Sequence, residues 1–138
     1  MKKEFELDPR LAANHHVVDW PLCSIFLEDD ARYPWLILVP RRANIREIFQ
    51  LSGEDRDAFW LELNTAAQRV ATSLHPSKMN VAMLGNMVPQ LHGHVIARFA
   101  TDPAWPAPVW GIGTRHAYDD EEAALAVAKM RERLGPRP

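Results

Sequence analysis

The chain of 138 residues has one cysteine, Cys23, no long apolar run and no surplus of either charge. A lone cysteine rules out an internal disulfide and a thiolate metal cluster within one chain. The longest apolar run, Trp35 to Val39, falls far short of the roughly 18 residues that cross a bilayer. The start, MKKEFELDPR, lacks the apolar stretch of a secretory leader. With 16 Lys and Arg against 18 Asp and Glu, the net charge of -2 is not the basic footprint of a protein that grips a nucleic-acid polymer. These absences lead us to expect a soluble cytoplasmic protein that acts on a small ligand, with neither membrane nor polynucleotide as partner.

What the chain does contain is enough apolar residue, 47%, for one compact domain spanning 1–138. Asp8 and Pro9 are start signals for a short helix that should end near Asn14. Cys23 to Leu27 and Trp35 to Val39 read as two strands of a hairpin, joined by a polar turn holding Asp29, Asp30 and Pro34. Phe59, Leu63, Ala66, Ala67, Val70 and Leu74 recur at helical spacing; Ser52 caps that helix with Asp55 in the capping-box position, and Pro76 ends it. Met79 to Leu84 and Gln90 to Phe99 read as a second hairpin, its turn beginning at Gly85 and Asn86. Then comes a Pro- and Trp-rich stretch, 101–113, expected as an ordered loop, and a terminal helix at about 120–134 with acids first and bases last. Strand pairs joined by short turns favour an α+β domain on a mainly antiparallel sheet of four or five strands, with the long helix packed on one face.

The stretch GNMVPQLHGHVIAR, Gly85 to Arg98, holds the chemistry. Alternation along a strand puts Gln90, His92, His94 and Ile96 on one face and Leu91, Gly93, Val95 and Ala97 on the other. Same-face neighbours lie about 6.6 Å apart, within reach of one phosphate or one metal ion. Three readings follow from the residues alone. In the first, the pair decorates a solvated sheet face. In the second, it is half of a zinc site, which needs a third ligand that the spacing of His15, His16, His75 and His116 does not name. In the third, a neutral imidazole attacks an electrophilic phosphorus, its other ring nitrogen held as a donor.

The same stretch resembles the active-site strand of the histidine triad (HIT) family, in which three histidines alternate with apolar residues after a Gly-Gln-Ser/Thr-Val turn. Gln90 falls on the first histidine, His92 on the middle one and His94 on the last. FLEDD, WLILVPRR and the capped helix resemble that family's N-terminal half in order and spacing, so the likeness runs from about Pro21 to Phe99.

The resemblance implies a HIT-like fold and a nucleotide hydrolase or nucleotidyl transferase, possible substrates being dinucleoside polyphosphates or phosphoramidates of a purine nucleotide. His92 would be the nucleophile on the α-phosphorus, His94 would bond the phosphate or leaving group, and Gln90 would position rather than relay protons. Backbone amides near Gly85, and the side chain of Asn86, would contact phosphate. Met87 replaces a hydroxyl residue, which leaves leaving-group preference open. Asp29 lies near the family's ribose-contacting position, Asn80 could contact substrate, and Arg98 could neutralise a polyphosphate. Trp105 and Trp110 could stack a base. No cofactor or metal is called for, and the family's habit is a homodimer. Two other readings stand beside this one: a nucleotide-binding regulatory module without turnover, and a metal-dependent enzyme with His92 and His94 as ligands.

Overall fold

Side chains buried along the whole of two neighbouring strands set the frame. In the computed structural model, which describes residues 4–138, these are β2 (Cys23–Leu27) and β3 (Trp35–Pro40), both buried throughout. Strands covered on both faces read as continuous apolar runs, as these do. β1 (His15–Asp19), β4 (Lys78–Ala82) and β5 (Gly93–Arg98) complete a five-stranded sheet in the order β1-β2-β3-β5-β4. Every neighbouring pair is antiparallel, as the α+β expectation required. Met1–Lys3, where the stretch read for a leader begins, lie outside the described residues.

α1 (Pro9–Ala12) starts as anticipated, with the Asp8 carboxylate accepting from the Arg10 N–H at 2.9 Å. α2 (Gly53–Leu74) is capped by Ser52, whose Oγ accepts from the Asp55 N–H, and it ends at His75 in the left-handed region just before Pro76. The Asp55 side chain makes no return bond to the cap, because its carboxylate is taken by the Arg42 guanidinium at 2.7 and 3.1 Å. Phe59, Leu63, Ala66 and Val70 bury the apolar stripe of α2 against Leu36, Leu38, Val95 and Ala97 of the sheet. α3 (Asp120–Leu134) packs on the same side, sending Met130 and Leu134 into that core. A second, smaller core on the opposite face gathers Phe26, Tyr33, Trp35, Ile37 and Ile96 under Ala104 and Val109 of the proline-rich loop.

Several expectations need correction. His15–Asp19 is a strand that the sequence does not announce, because Val17 is its sole buried residue and a bulge between His16 and Val18 breaks any alternation. The anticipated strand from Gln90 to Phe99 begins at Gly93, so Gln90 and His92 lie ahead of the ladder. Likewise the strand expected from Met79 to Leu84 runs from Lys78 to Ala82, and a long loop from Met83 to His92 replaces a tight turn. Pro89 has no N–H for a ladder, and the Leu91 N–H bonds the Ile45 carbonyl at 2.9 Å instead of β4. Gly85 turns the loop with φ of 83°, where a side chain would be strained.

Candidate active site

Gly93 explains how two histidines come to be buried at a strand start. A Cβ placed there would sit 2.5 Å from Leu63 Cδ2 and 3.4 Å from Phe59 Cζ, so glycine lets β5 lie against α2 without displacing Leu63. His92 and His94 flank it on the opposite face, each only 6% exposed, with ring centroids 4.8 Å apart and planes at 70°.

Each imidazole has one nitrogen committed, and the two commitments are opposite in kind. His92 Nδ1 lies 2.7 Å from the Gln90 carbonyl oxygen, which can only accept, so Nδ1 carries the proton and Nε2 keeps its lone pair. His94 Nδ1 lies 2.9 Å from the Trp35 indole nitrogen, which can only donate, so Nδ1 accepts and Nε2 carries the proton. Burial lowers the pKa of His92, with the Gln90 carbonyl and Asp8 pulling the other way. Burial pushes His94 down to about 3, and His92 beside it adds to the fall. The row therefore offers a neutral acceptor nitrogen beside a neutral N–H donor.

These rings line a cleft of about 200 Å³ with Asn14, Glu28, Gly85, Asn86 and Trp110 around it and Arg10 at its lip. Trp110 meets His94 edge-on at 5.1 Å and Trp35 at 5.8 Å, closing one wall. Burial pushes the Glu28 carboxyl up to about 7; Arg115 opposes the rise, while Asp30 and Asp29 add to it. Among the described residues, nothing accepts from the backbone N–H groups of Gly85, Asn86 and Met87, which leaves a run of donors at the loop turn.

The structure brings together His92, His94, Gly85, Asn86, Met87 and Trp110 of the residues singled out from sequence, and it turns Gln90, Asp29, Arg98 and Asn80 to other partners. Gln90 reaches away from the row: its side-chain oxygen accepts from the Asp8 N–H and its amide donates to the Glu6 carbonyl, both at 2.9 Å. Its contribution to the row is its backbone carbonyl. Asp29 lies off the cleft, pairing with His15 Nε2 at 2.9 Å and accepting from the Tyr118 N–H at 3.0 Å. Arg98 does share the face of His94 but is 2% exposed, its guanidinium bonded to both oxygens of Asp102 (2.8 and 3.0 Å) and to the Ala107 carbonyl. Asn80 is spent on the same arginine at 2.9 Å. A buried cation with four bonds holds the proline-rich loop to β5 and is not available to a polyphosphate.

Sequence reasoning missed Glu28, Arg10, Asn14 and the hydrogen-bonding role of Trp35. Glu28 differs from Asp29 by one position, and the path of the chain just past β2 puts Glu28 on the cleft and Asp29 off it. Arg10 and Asn14 belong to a segment whose placement depends on Gln90, more than seventy positions away. Among the described residues no group of three or more His, Cys, Asp or Glu side chains stands close enough to share a metal ion.

Comparison with known proteins agrees with this geometry. A HIT domain family model matches residues 11–101. The chain is similar over 96% of its length to a histidine triad protein of Marinobacter aquaeolei, 43% identical, TM-score 0.92, covering 97% of that chain. It is similar to a histidine triad protein of Bradyrhizobium japonicum at 36% identity and TM-score 0.91, with 96% of this chain and 100% of that one covered. A diadenosine triphosphate hydrolase of Plasmodium falciparum shares the fold at TM-score 0.62 and 18% identity, over 97% of this chain and 87% of that one. No curated protein matches. With its family model spanning most of the sheet and both histidines, the chain belongs to the HIT domain family.

Proposed function

We propose that the protein cleaves the bond between the α-phosphate of a purine nucleotide and its leaving group, in a phosphoanhydride or a phosphoramidate, through a nucleotidyl-His92 intermediate. One observation carries this reading: the Gln90 carbonyl, 2.7 Å from Nδ1, commits that nitrogen as donor and so leaves the His92 Nε2 lone pair for attack. As the bond from Nε2 to phosphorus forms, the bond from phosphorus to the leaving group breaks, and the leaving group takes the electron pair. Water then attacks the phosphorus, the phosphorus–nitrogen bond breaks, and the nucleoside monophosphate departs from a regenerated imidazole.

His94 Nε2–H and the amides near Gly85 are the donors that meet the charge developing on the phosphoryl oxygens, in a site whose burial strengthens them. Asn86 stands beside those amides, and Trp110 with Leu11 and Ile37 offers an apolar wall for the base. We assign the ribose hydroxyls to Glu28 rather than Asp29, because Glu28 lines the cleft and its carboxyl, protonated part of the time near neutral pH, can donate as well as accept. The protein would work as a cytoplasmic homodimer. β4 ends the sheet as an open edge, and Val81, Leu84 and Met87 expose apolar side chains near it.

The test is to incubate the protein with diadenosine polyphosphates and with adenosine 5′-phosphoramidate and to follow intact mass after rapid quenching. An added nucleoside monophosphate that maps to His92, and that is lost in His92→Asn, is the expected result. Nucleotide binding without product or adduct would make the protein a binding module. Turnover that requires added zinc would assign the histidines to a metal instead.

A further inference from the structure

A cleft that receives a phosphate chain has negative charge to meet, and the side chains around this one supply little to meet it. His92 and His94 are neutral, Glu28 is an acid, and Arg98 is held within the fold by Asp102. Among the described residues that line the cleft, Arg10 is the single cation.

Arg10 is also held in place. Its Nε and Nη2 donate to the two oxygens of Asp8 at 3.1 and 2.9 Å, and its Nη1 donates to the Met87 carbonyl at 2.9 Å. A guanidinium has five N–H groups, so these bonds leave two, one on each Nη nitrogen, as donors for phosphate oxygens. The side chain remains 58% exposed, which keeps these donors open to a phosphate chain. The Met87 carbonyl that holds Nη1 belongs to the same turn as the unpaired amides of Gly85 and Asn86, so cation and amides converge on one end of the cleft.

We propose that Arg10 binds the departing phosphate chain and makes the site selective for substrates with an anionic phosphate leaving group over those with an amine. The inference rests on the reading of His92 as the nucleophile. In an anhydride such as diadenosine tetraphosphate, the α-phosphorus–oxygen bond breaks as the bond to His92 Nε2 forms, and ATP leaves carrying the electron pair. That added negative charge is what Arg10 meets. In adenosine 5′-phosphoramidate the phosphorus–nitrogen bond breaks instead; the nitrogen takes the pair and a proton from water and departs as ammonia, the hydroxide being neutralised by the proton released when water hydrolyses the intermediate, so no negative leaving group remains for a cation to meet.

The experiment compares kcat/KM for diadenosine tetraphosphate with that for adenosine 5′-phosphoramidate in the wild type, Arg10→Gln and Arg10→Lys. Arg10→Gln should lower the ratio of anhydride to amidate about tenfold or more, with Arg10→Lys between the two. An unchanged ratio in Arg10→Gln overturns the proposal. Because that variant leaves Asp8 unpaired, Asp8→Asn combined with Arg10→Gln must show the same fall; a return to the wild-type ratio would assign the effect to Asp8 and overturn it too. Calorimetric binding of tripolyphosphate decides independently of turnover, and Arg10→Gln should bind it about tenfold more weakly. Equal binding overturns the proposal. Failure of the wild type to cleave either nucleotide would count against the role of His92, while the tripolyphosphate result still speaks for or against Arg10.

Discussion

The Trp35 indole settles which nitrogen of His94 bears the proton. Its Nε1–H points at His94 Nδ1 from 2.9 Å, and the two rings, on neighbouring strands, lie 5.7 Å apart. Trp35→Phe keeps an aromatic ring between Tyr33 and Trp110 but removes the donor. His94 should then populate both tautomers, visible in the long-range proton–nitrogen correlations of its imidazole, and turnover should fall about tenfold. A His94 spectrum identical to that of the wild type would show that the indole does not set the tautomer.

Glu28 should make stability fall as pH rises toward neutrality. Burial raises its folded pKa to about 7 from an ordinary value of 4.5, so between these values the folded state holds more protons than the unfolded one. The stabilisation is full below pH 4.5 and is lost as pH climbs through 7, by about 3 kcal/mol. Glu28→Gln cannot ionise and should melt at a higher temperature than the wild type at pH 8 while differing little at pH 5. Parallel melting curves at both pH values would contradict this.

Gly93→Ala should cost about 1–3 kcal/mol, because the added methyl must displace Leu63 in a filled core. Urea unfolding measures the loss. Leu63→Ala in the same chain makes room for the methyl, so the double variant should be more stable than the sum of the two single losses predicts. Strict additivity would mean that the methyl is accommodated elsewhere.

Gln90→His, which installs the imidazole that the resemblance to the histidine triad strand would put at that position, should impair the protein rather than improve it. A neutral imidazole has one acceptor and one donor nitrogen, but they diverge from a rigid ring, so it cannot meet the Asp8 N–H and the Glu6 carbonyl from the positions that the carboxamide oxygen and nitrogen occupy at 2.9 Å without moving that segment. We expect a loss of about 1–2 kcal/mol in stability and faster proteolysis of the N-terminal segment. Activity above the wild-type level would show that the side chain of Gln90 limits the chemistry.

The elements that were legible in the sequence are those whose signals are local. Ser52, Pro76 and the stripe from Phe59 to Val70 announce α2 unaided, and the alternation around Gly93 sends Leu91 and Val95 into the core while His92 and His94 face the cleft. What local pattern cannot carry is competition among partners. Arg98 is a suitable phosphate ligand by type and by face, yet Asp102, a few residues on, claims it with two bonds. Glu62 lies on the buried side of α2 for a reason invisible along the chain: its carboxylate accepts from the Leu22 and Cys23 N–H groups at 2.9 Å, tying the helix to the start of β2. Gln90 reads as a member of the row by alternation, but the ladder begins after it and its amide has closer partners in the backbone of Glu6 and Asp8.

The anchoring of the proline-rich loop by Arg98 bears on how a ligand enters. Arg98 ends the strand that carries His94, and it holds Asp102 and Ala107 of the loop that delivers Trp110. The strand of His94 and the aromatic wall are thereby joined through a buried ion pair. The opposite lip, where Arg10 meets the Met87 carbonyl, is secured by exposed contacts that cost little to break. Traffic into and out of the cleft should therefore pass on the side of the N-terminal arm and the Gly85 loop, with the tryptophan side serving as the fixed jamb of the door.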